Sequence, residues 1–164
     1  MSFLGGLWRK VTGGTADVTL TVGAARRSSK APVTVDVAVG PDPISPKRVY
    51  VKLRCVEQVE IPKYALPKEG DDKAEPGKVA APDAKPKTVD VKAEECLFEK
   101  EFVLGPGREM AAKSTHKFEG QIELPAHLPP SFNGKLARVK WTALAGLSTS
   151  INDPDSGWQE VSVA

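Results

Sequence analysis

From Thr15 onward, apolar and polar residues alternate with a period of two. Val18, Leu20 and Val22 fall on one side of a predicted strand and Thr19 and Thr21 on the other, and Val33, Val35, Val37 and Val39 repeat the pattern. Between these runs ARRSSKAP reads as a polar turn, and GPDPISP after them is a proline-rich break that cannot continue a ladder. A third, longer strand follows in VYVKLRCVEQVEI. Val51, Leu53 and Cys55 face inward there, Lys52 and Arg54 face outward, and a bulge near Val56 is needed to re-phase Val59 and Ile61.

Residues 62–87 abandon the pattern. Prolines recur, charges of both signs alternate with alanines, and after Leu66 the only branched aliphatic is Val79. Such a stretch cannot bury enough apolar area to offset its ordering entropy, so the sequence predicts a flexible insertion rich in proline, lysine and alanine. Strand signals then resume. Val89 and Val91 alternate, followed by Cys96, Phe98, Phe102 and Leu104 up to the turn GPGRE; Phe118, Ile122 and Leu124 share a face; so do Val139, Trp141, Ala143 and Ala145; and WQEVSVA closes the chain. Seven or so strands without an internal helix predict an all-β fold, an immunoglobulin-like antiparallel β-sandwich occupying 15–164 as one domain.

Ahead of it, residues 1–14 form an amphipathic segment. Leu4, Leu7, Trp8 and Val11 have the spacing of one helix face, which predicts a short N-terminal helix. Such a stripe either caps the end of the sandwich or enters a partner groove or a membrane interface, with Arg9 and Lys10 assisting.

Composition narrows the function. At 164 residues the chain can bury one ordinary core, and its charged and hydrophobic fractions of 27% and 40% are those of a soluble globular domain. A formal charge of +2 gives no reason to expect nucleic acid as a partner. Apolar runs are only a few residues long, against the roughly 20 that span a bilayer. The glycine-broken opening SFLGGLWRKV does not read as a secretory signal, so the expectation is a cytoplasmic protein. Cys55 and Cys96 lie in strand-like segments without CxxC spacing, and both are expected as buried, reduced thiols.

Little in the chain suggests catalysis. His116 sits in a strand and His127 in a proline-flanked loop, neither beside a GxSxG turn, and two histidines without carboxylate spacing make a poor metal set. Glu94–Glu95 and Asp71–Asp72 belong to solvated faces and loops. The NDPDSG run at 152–157 lacks the closing glutamate of a calcium loop and reads as a turn built by Asx side chains. No cofactor is expected. What remains is outward-facing basic residues: Lys52 and Arg54 on one strand, Arg138 and Lys140 on another, with Lys135 at the end. If those strands are neighbours, the residues merge into a stripe suited to an acidic peptide, a phosphopeptide or an anionic lipid surface.

One stretch carries a family resemblance. LPAHLPPSFNG, residues 124–134, followed by the strand ARVKWTALAGL, resembles the signature near the end of arrestin amino-terminal domains: Pro129, Pro130, Ser131, Phe132 and Gly134 match its loop, and Val139 and Trp141 its strand. In this reading Phe132 plugs the rim of the core and Gly134 supplies a positive φ. The opening MSF and the ending INDPDSGWQEVSV are similar to the bacterial sporulation-control branch of arrestin-like proteins. The family's members join two sandwiches end to end, and the strands here account for one. The resemblance implies a non-catalytic adaptor or scaffold that binds another protein through sheet edges and loops, with homodimerisation by edge-strand pairing as a further possibility. Two alternatives stand beside it: a peripheral membrane, trafficking or regulatory factor using Leu4, Leu7, Trp8 and the basic face, and a structural subunit of a larger assembly.

Overall fold

The computed structural model describes residues 15–65, 88–150 and 152–164. They form an antiparallel β-sandwich of eight strands: β1 (Ala16–Val22), β2 (Lys30–Val39), β3 (Arg48–Ala65), β4 (Thr88–Pro106), β5 (Thr115–Glu123), β6 (Phe132–Asn133), β7 (Ala137–Ser148) and β8 (Gln159–Val161). Three strands pair in the order β1-β2-β5. The other sheet runs β4-β3-β7-β6, with β8 also on β7. Among the described residues no helix is long and apolar enough to cross a membrane. The predicted helix over Leu4, Leu7, Trp8 and Val11 lies outside the described residues.

Period-two alternation builds the core. Ala31, Val33, Val35, Val37 and Val39 of β2 are buried against Val49, Val51, Leu53 and Cys55 of β3 and Val139, Trp141, Ala143, Ala145 and Leu147 of β7. One end of the sandwich is closed where its two crossovers meet, Ile44 and Met110 exchanging backbone hydrogen bonds at 3.0 and 2.8 Å. On the outer side of the larger sheet Tyr50 is also buried. Its ring lies over Gly146, where a Cβ would come within 2.5 Å of it.

The register departs from the sequence reading in two places. First, β3 does not stop before Pro62: it continues to Ala65, with Tyr64 opposite Val89 and Ala65 opposite Thr88. Strand pairing of β3 with β7 ends at Val59 and a last bond runs from Glu60 N to Leu136 O at 2.8 Å, so at Pro62 no described residue pairs with that side of β3 and a proline without an N–H is tolerated. The remainder of the predicted insertion, residues 66–87, lies outside the described residues. Second, Cys96 does not share a face with Phe98. The expected irregularity near Val56 is present, but the extra residue is Leu97 on β4: Cys55 pairs with Phe98 and Val56 with Cys96. Leu97 and Phe98 both pack against the core, and Cys96 is exposed.

A candidate interaction surface on the larger sheet

The antiparallel pairing of β3 with β7 brings the basic residues of both strands onto one face. Lys52 lies opposite Leu144, Arg54 opposite Thr142, Val56 opposite Lys140 and Gln58 opposite Arg138. Lys52, Arg54, Lys140 and Arg138 therefore occupy four successive rungs as a diagonal. With about 6.7 Å between rungs, the line spans roughly 20 Å.

Its two halves differ electrostatically. On β3, the Arg54 guanidinium donates to Glu99 at 2.8 Å and lies 4.5 Å from the centroid of the Trp158 ring. Arg48 pairs with Glu101 at 3.0 Å, and the Lys52 ammonium sits 5.6 Å from the Tyr50 centroid. On β7, by contrast, neither Arg138 nor Lys140, nor the adjacent Lys135, forms an ion pair with any described residue. Two exposed apolar side chains lie nearby: Leu136 at 47%, beside Lys135, and Phe132 at 55%, which is paired with Val139 and so lies on the other face of the sheet from Arg138 and Lys140. Arg138 lines two shallow clefts, one of about 330 Å³ shared with Lys135, Leu136 and Glu94, the other of about 310 Å³ shared with Phe132, Lys140 and Glu160.

The proline-rich loop holds this corner in place, by a mechanism other than the expected one. Trp141, fully buried, donates its indole N–H to the Pro129 carbonyl at 3.0 Å. Ser131 is stitched to the last residues: its N–H donates to Val163 O at 2.8 Å, and its hydroxyl accepts from Val163 N at 2.9 Å. Phe132, paired with Val139 at the sheet edge but 55% exposed, does not plug the core. Nor does Gly134 adopt a positive φ, which among the described glycines occurs only at Gly157. A Cβ at Gly134 would lie 2.6 Å from the Phe132 ring, so the exposed ring would have to swing aside to admit one. Pro130 completes the extended crossover. The exposure of Phe132 and Leu136 escaped the sequence reading because both sit in SFNGKLAR, where alternation is interrupted by a turn.

The groups with chemical potential elsewhere are committed to structure. His116 lies 2.8 Å from the Ser114 hydroxyl and 3.3 Å from Arg108. The hydroxyl donates to Ala111 O at 2.6 Å, so it accepts from the His116 Nε2–H, and Nδ1 accepts from Arg108. This polarity is the reverse of a serine nucleophile and its base. His127 is exposed in the loop. The 152–157 turn is closed by Asp155, whose carboxylate accepts from Gly157 N at 2.8 Å. The thiols part company: Cys55 is buried, and burial, with smaller contributions from Cys96 and Glu57, pushes it up to about 11, whereas Cys96, contrary to expectation, is exposed.

No protein-family model matches the chain, and no curated protein does. Among solved structures it is similar to the sporulation control protein Spo0M of Bacillus subtilis, with a TM-score of 0.57 and 16% identity over 92% of this chain and 49% of that one. The chain thus spans about half the length of that protein and shares its fold, as the resemblance of the proline loop implies.

Proposed function

We propose that this chain is a non-catalytic adaptor of arrestin-like type, with a regulatory role, that binds an acidic segment of another protein through the β6–β7 corner. One observation carries the reading: Lys135, Arg138 and Lys140 form no ion pair with a described residue, and the clefts they line also include exposed Leu136 and, at the strand edge, exposed Phe132. Cations without a carboxylate partner keep their full attraction for an incoming anion, and the two apolar side chains add contact area where charge alone would be screened. Arg54 and Lys52 contribute less, Arg54 being neutralised by Glu99. One feature favours a structural role for the histidine–serine pair: His116 donates to Ser114 and does not activate it. Two free thiols suit a reducing compartment and hence the cytoplasm.

Fluorescence anisotropy with a labelled peptide of alternating glutamate and leucine tests the reading. Arg138→Glu combined with Lys140→Glu weakens binding at least about tenfold, while Arg54→Glu has a smaller effect. Equal losses from both variants would show that the corner has no special role. Flotation of the protein with anionic vesicles and no affinity for the peptide would transfer the surface to a membrane instead, since exposed aromatic and aliphatic side chains beside cations also suit a bilayer interface.

A further inference from the structure

The two sides of the larger sheet end differently, and the open side is β4. On the β7 side, β6, β8 and residues 154–156 all pair with the strand. β4 pairs with β3 on one side only, and among the described residues no strand pairs with the other. Its later part is sheltered by the smaller sheet, Leu104 packing over Gly120 and Phe118 approaching Gly105. From Val91 to Cys96, however, β4 is paired among the described residues with β3 alone, between Val56 and Ile61, and every one of these six residues is exposed. Main-chain donors and acceptors on such an edge form a ready template for another strand.

Charge selects the occupant. Glu95 lies directly opposite Glu57, and no described cation forms an ion pair with either. Like charges facing each other across a ladder destabilise it. Glu94 accepts from Gln58 at 2.6 Å and forms no ion pair with a described cation, whereas Lys92 is already paired with Glu60 at 3.1 Å. A second copy of β4 fits badly here. From Val91 to Glu101 the strand carries four glutamates and two lysines, so self-pairing gathers like charge, and the Leu97 bulge interrupts the register.

We infer that Val91–Cys96 of β4 is a docking edge for an extended segment of a partner protein bearing arginine or lysine, which adds to the sheet as a further strand. Main-chain hydrogen bonds hold the segment; Glu94 and Glu95 lie on opposite faces of the strand, so cations at two adjacent positions of the segment sit beside them, the one beside Glu95 relieving the Glu95–Glu57 repulsion. This edge takes the opposite charge to the basic corner, which it adjoins: Glu94, Gln58 and Arg138 share one rung and line one cleft.

The test is fluorescence anisotropy of the full chain with a short labelled peptide carrying two adjacent arginines between valines, together with amide exchange of β4 followed by NMR. The peptide is expected to bind and to slow exchange between Val91 and Cys96. Glu94→Lys with Glu95→Lys weakens it at least about tenfold, and Arg138→Glu with Lys140→Glu does not. An N-methylated version of the peptide, with the same charge but without alternate N–H donors, loses binding by a similar factor. If the methylated peptide bound as tightly, or β4 exchange were unchanged, the contact would be ionic adhesion and the inference would fail. Absence of binding, or protection of the same amides by self-association of the free protein, would equally overturn it.

Discussion

The two edges of the larger sheet solve the same problem in opposite ways. On the β7 side, three short segments occupy the positions that face away from β3: Gly134 bonds to Ala137, β8 pairs with Trp141 to Ala143, Ser156 bonds to Ala145 and Pro154 to Leu147. On the β4 side, charged side chains stand where a strand could be. A capped edge consumes its hydrogen bonds internally and contributes to stability, whereas a charged edge keeps them accessible and relies on electrostatic repulsion to reject the wrong partner. The two candidate surfaces lie near these edges, one basic at the β6–β7 corner and one acidic on β4.

A single rung crosses the sheet from one edge to the other and allows the sharpest comparison. Phe98 of β4, Cys55 of β3 and Trp141 of β7 are paired in sequence, and the Phe98 and Trp141 rings lie 6.1 Å apart. Trp141 is fully buried and ties the capped edge to Pro129, while Phe98 is half-buried at the open one. Trp141→Ala is therefore expected to cost about 3–5 kcal/mol, and Phe98→Ala distinctly less. Urea unfolding measures both. Equal losses would mean that the capped edge is no more deeply integrated than the open one.

Cys55, midway along that rung, supplies a pH test of the same core. Its folded thiol is raised from the ordinary 9.0 to about 11 by burial. Above pH 9 the unfolded chain loses this proton while the folded chain keeps it, so the unfolded state binds fewer protons and stability falls as pH rises. The contribution is fully present below pH 9 and is lost by pH 11, an effect of about 2–3 kcal/mol. Buried Tyr50, also raised, chiefly by burial, acts in the same direction at higher pH. Cys55→Ala should flatten stability between pH 9 and 10 relative to the parent, and an unchanged slope would mean that water reaches the thiol. Exposed Cys96 should react with a thiol reagent in the folded protein at a pH where Cys55 does not.

These contrasts were unequally legible in the sequence. The inward valines of β1 and β2, the irregularity near Val56 and the Asx-built turn at 152–157 follow from periodicity and residue chemistry, because each is a local property. Alternation also assigned Lys52, Arg54, Arg138 and Lys140 to outward positions, and the register then placed them on one face. What alternation does not contain is the pairing: that Glu99, distant in sequence, neutralises Arg54, or that Glu95 faces Glu57. It also marks a bulge without saying which strand holds the extra residue, and so misassigned Cys96. Pro62 was read as a stop because its tolerance depends on β7 having already ended, a fact of tertiary structure. For Phe132 and Gly134 the loop's resemblance located the residues correctly, but their geometry reflects the hydrogen bonds of Ser131 and Trp141 instead of the roles first expected.

The smallest expected effects compare a bond at each edge. Ser131→Ala removes the acceptor of Val163 N–H in a half-buried position on the capped side. A donor left unsatisfied there should cost about 1–2 kcal/mol. Glu99→Ala, on the β4 side, breaks the ion pair with Arg54, but the two side chains are 43% and 38% exposed and Arg54 keeps its stacking on Trp158. Water replaces the lost carboxylate, so the cost should stay below about 1 kcal/mol and shrink further in salt. Paired urea midpoints at low and high ionic strength decide between them. A Glu99→Ala loss that equals that of Ser131→Ala and persists in salt would mean that β4 is held by its charges as firmly as β7 is held by its caps, and that an incoming strand would have to displace part of the fold to bind.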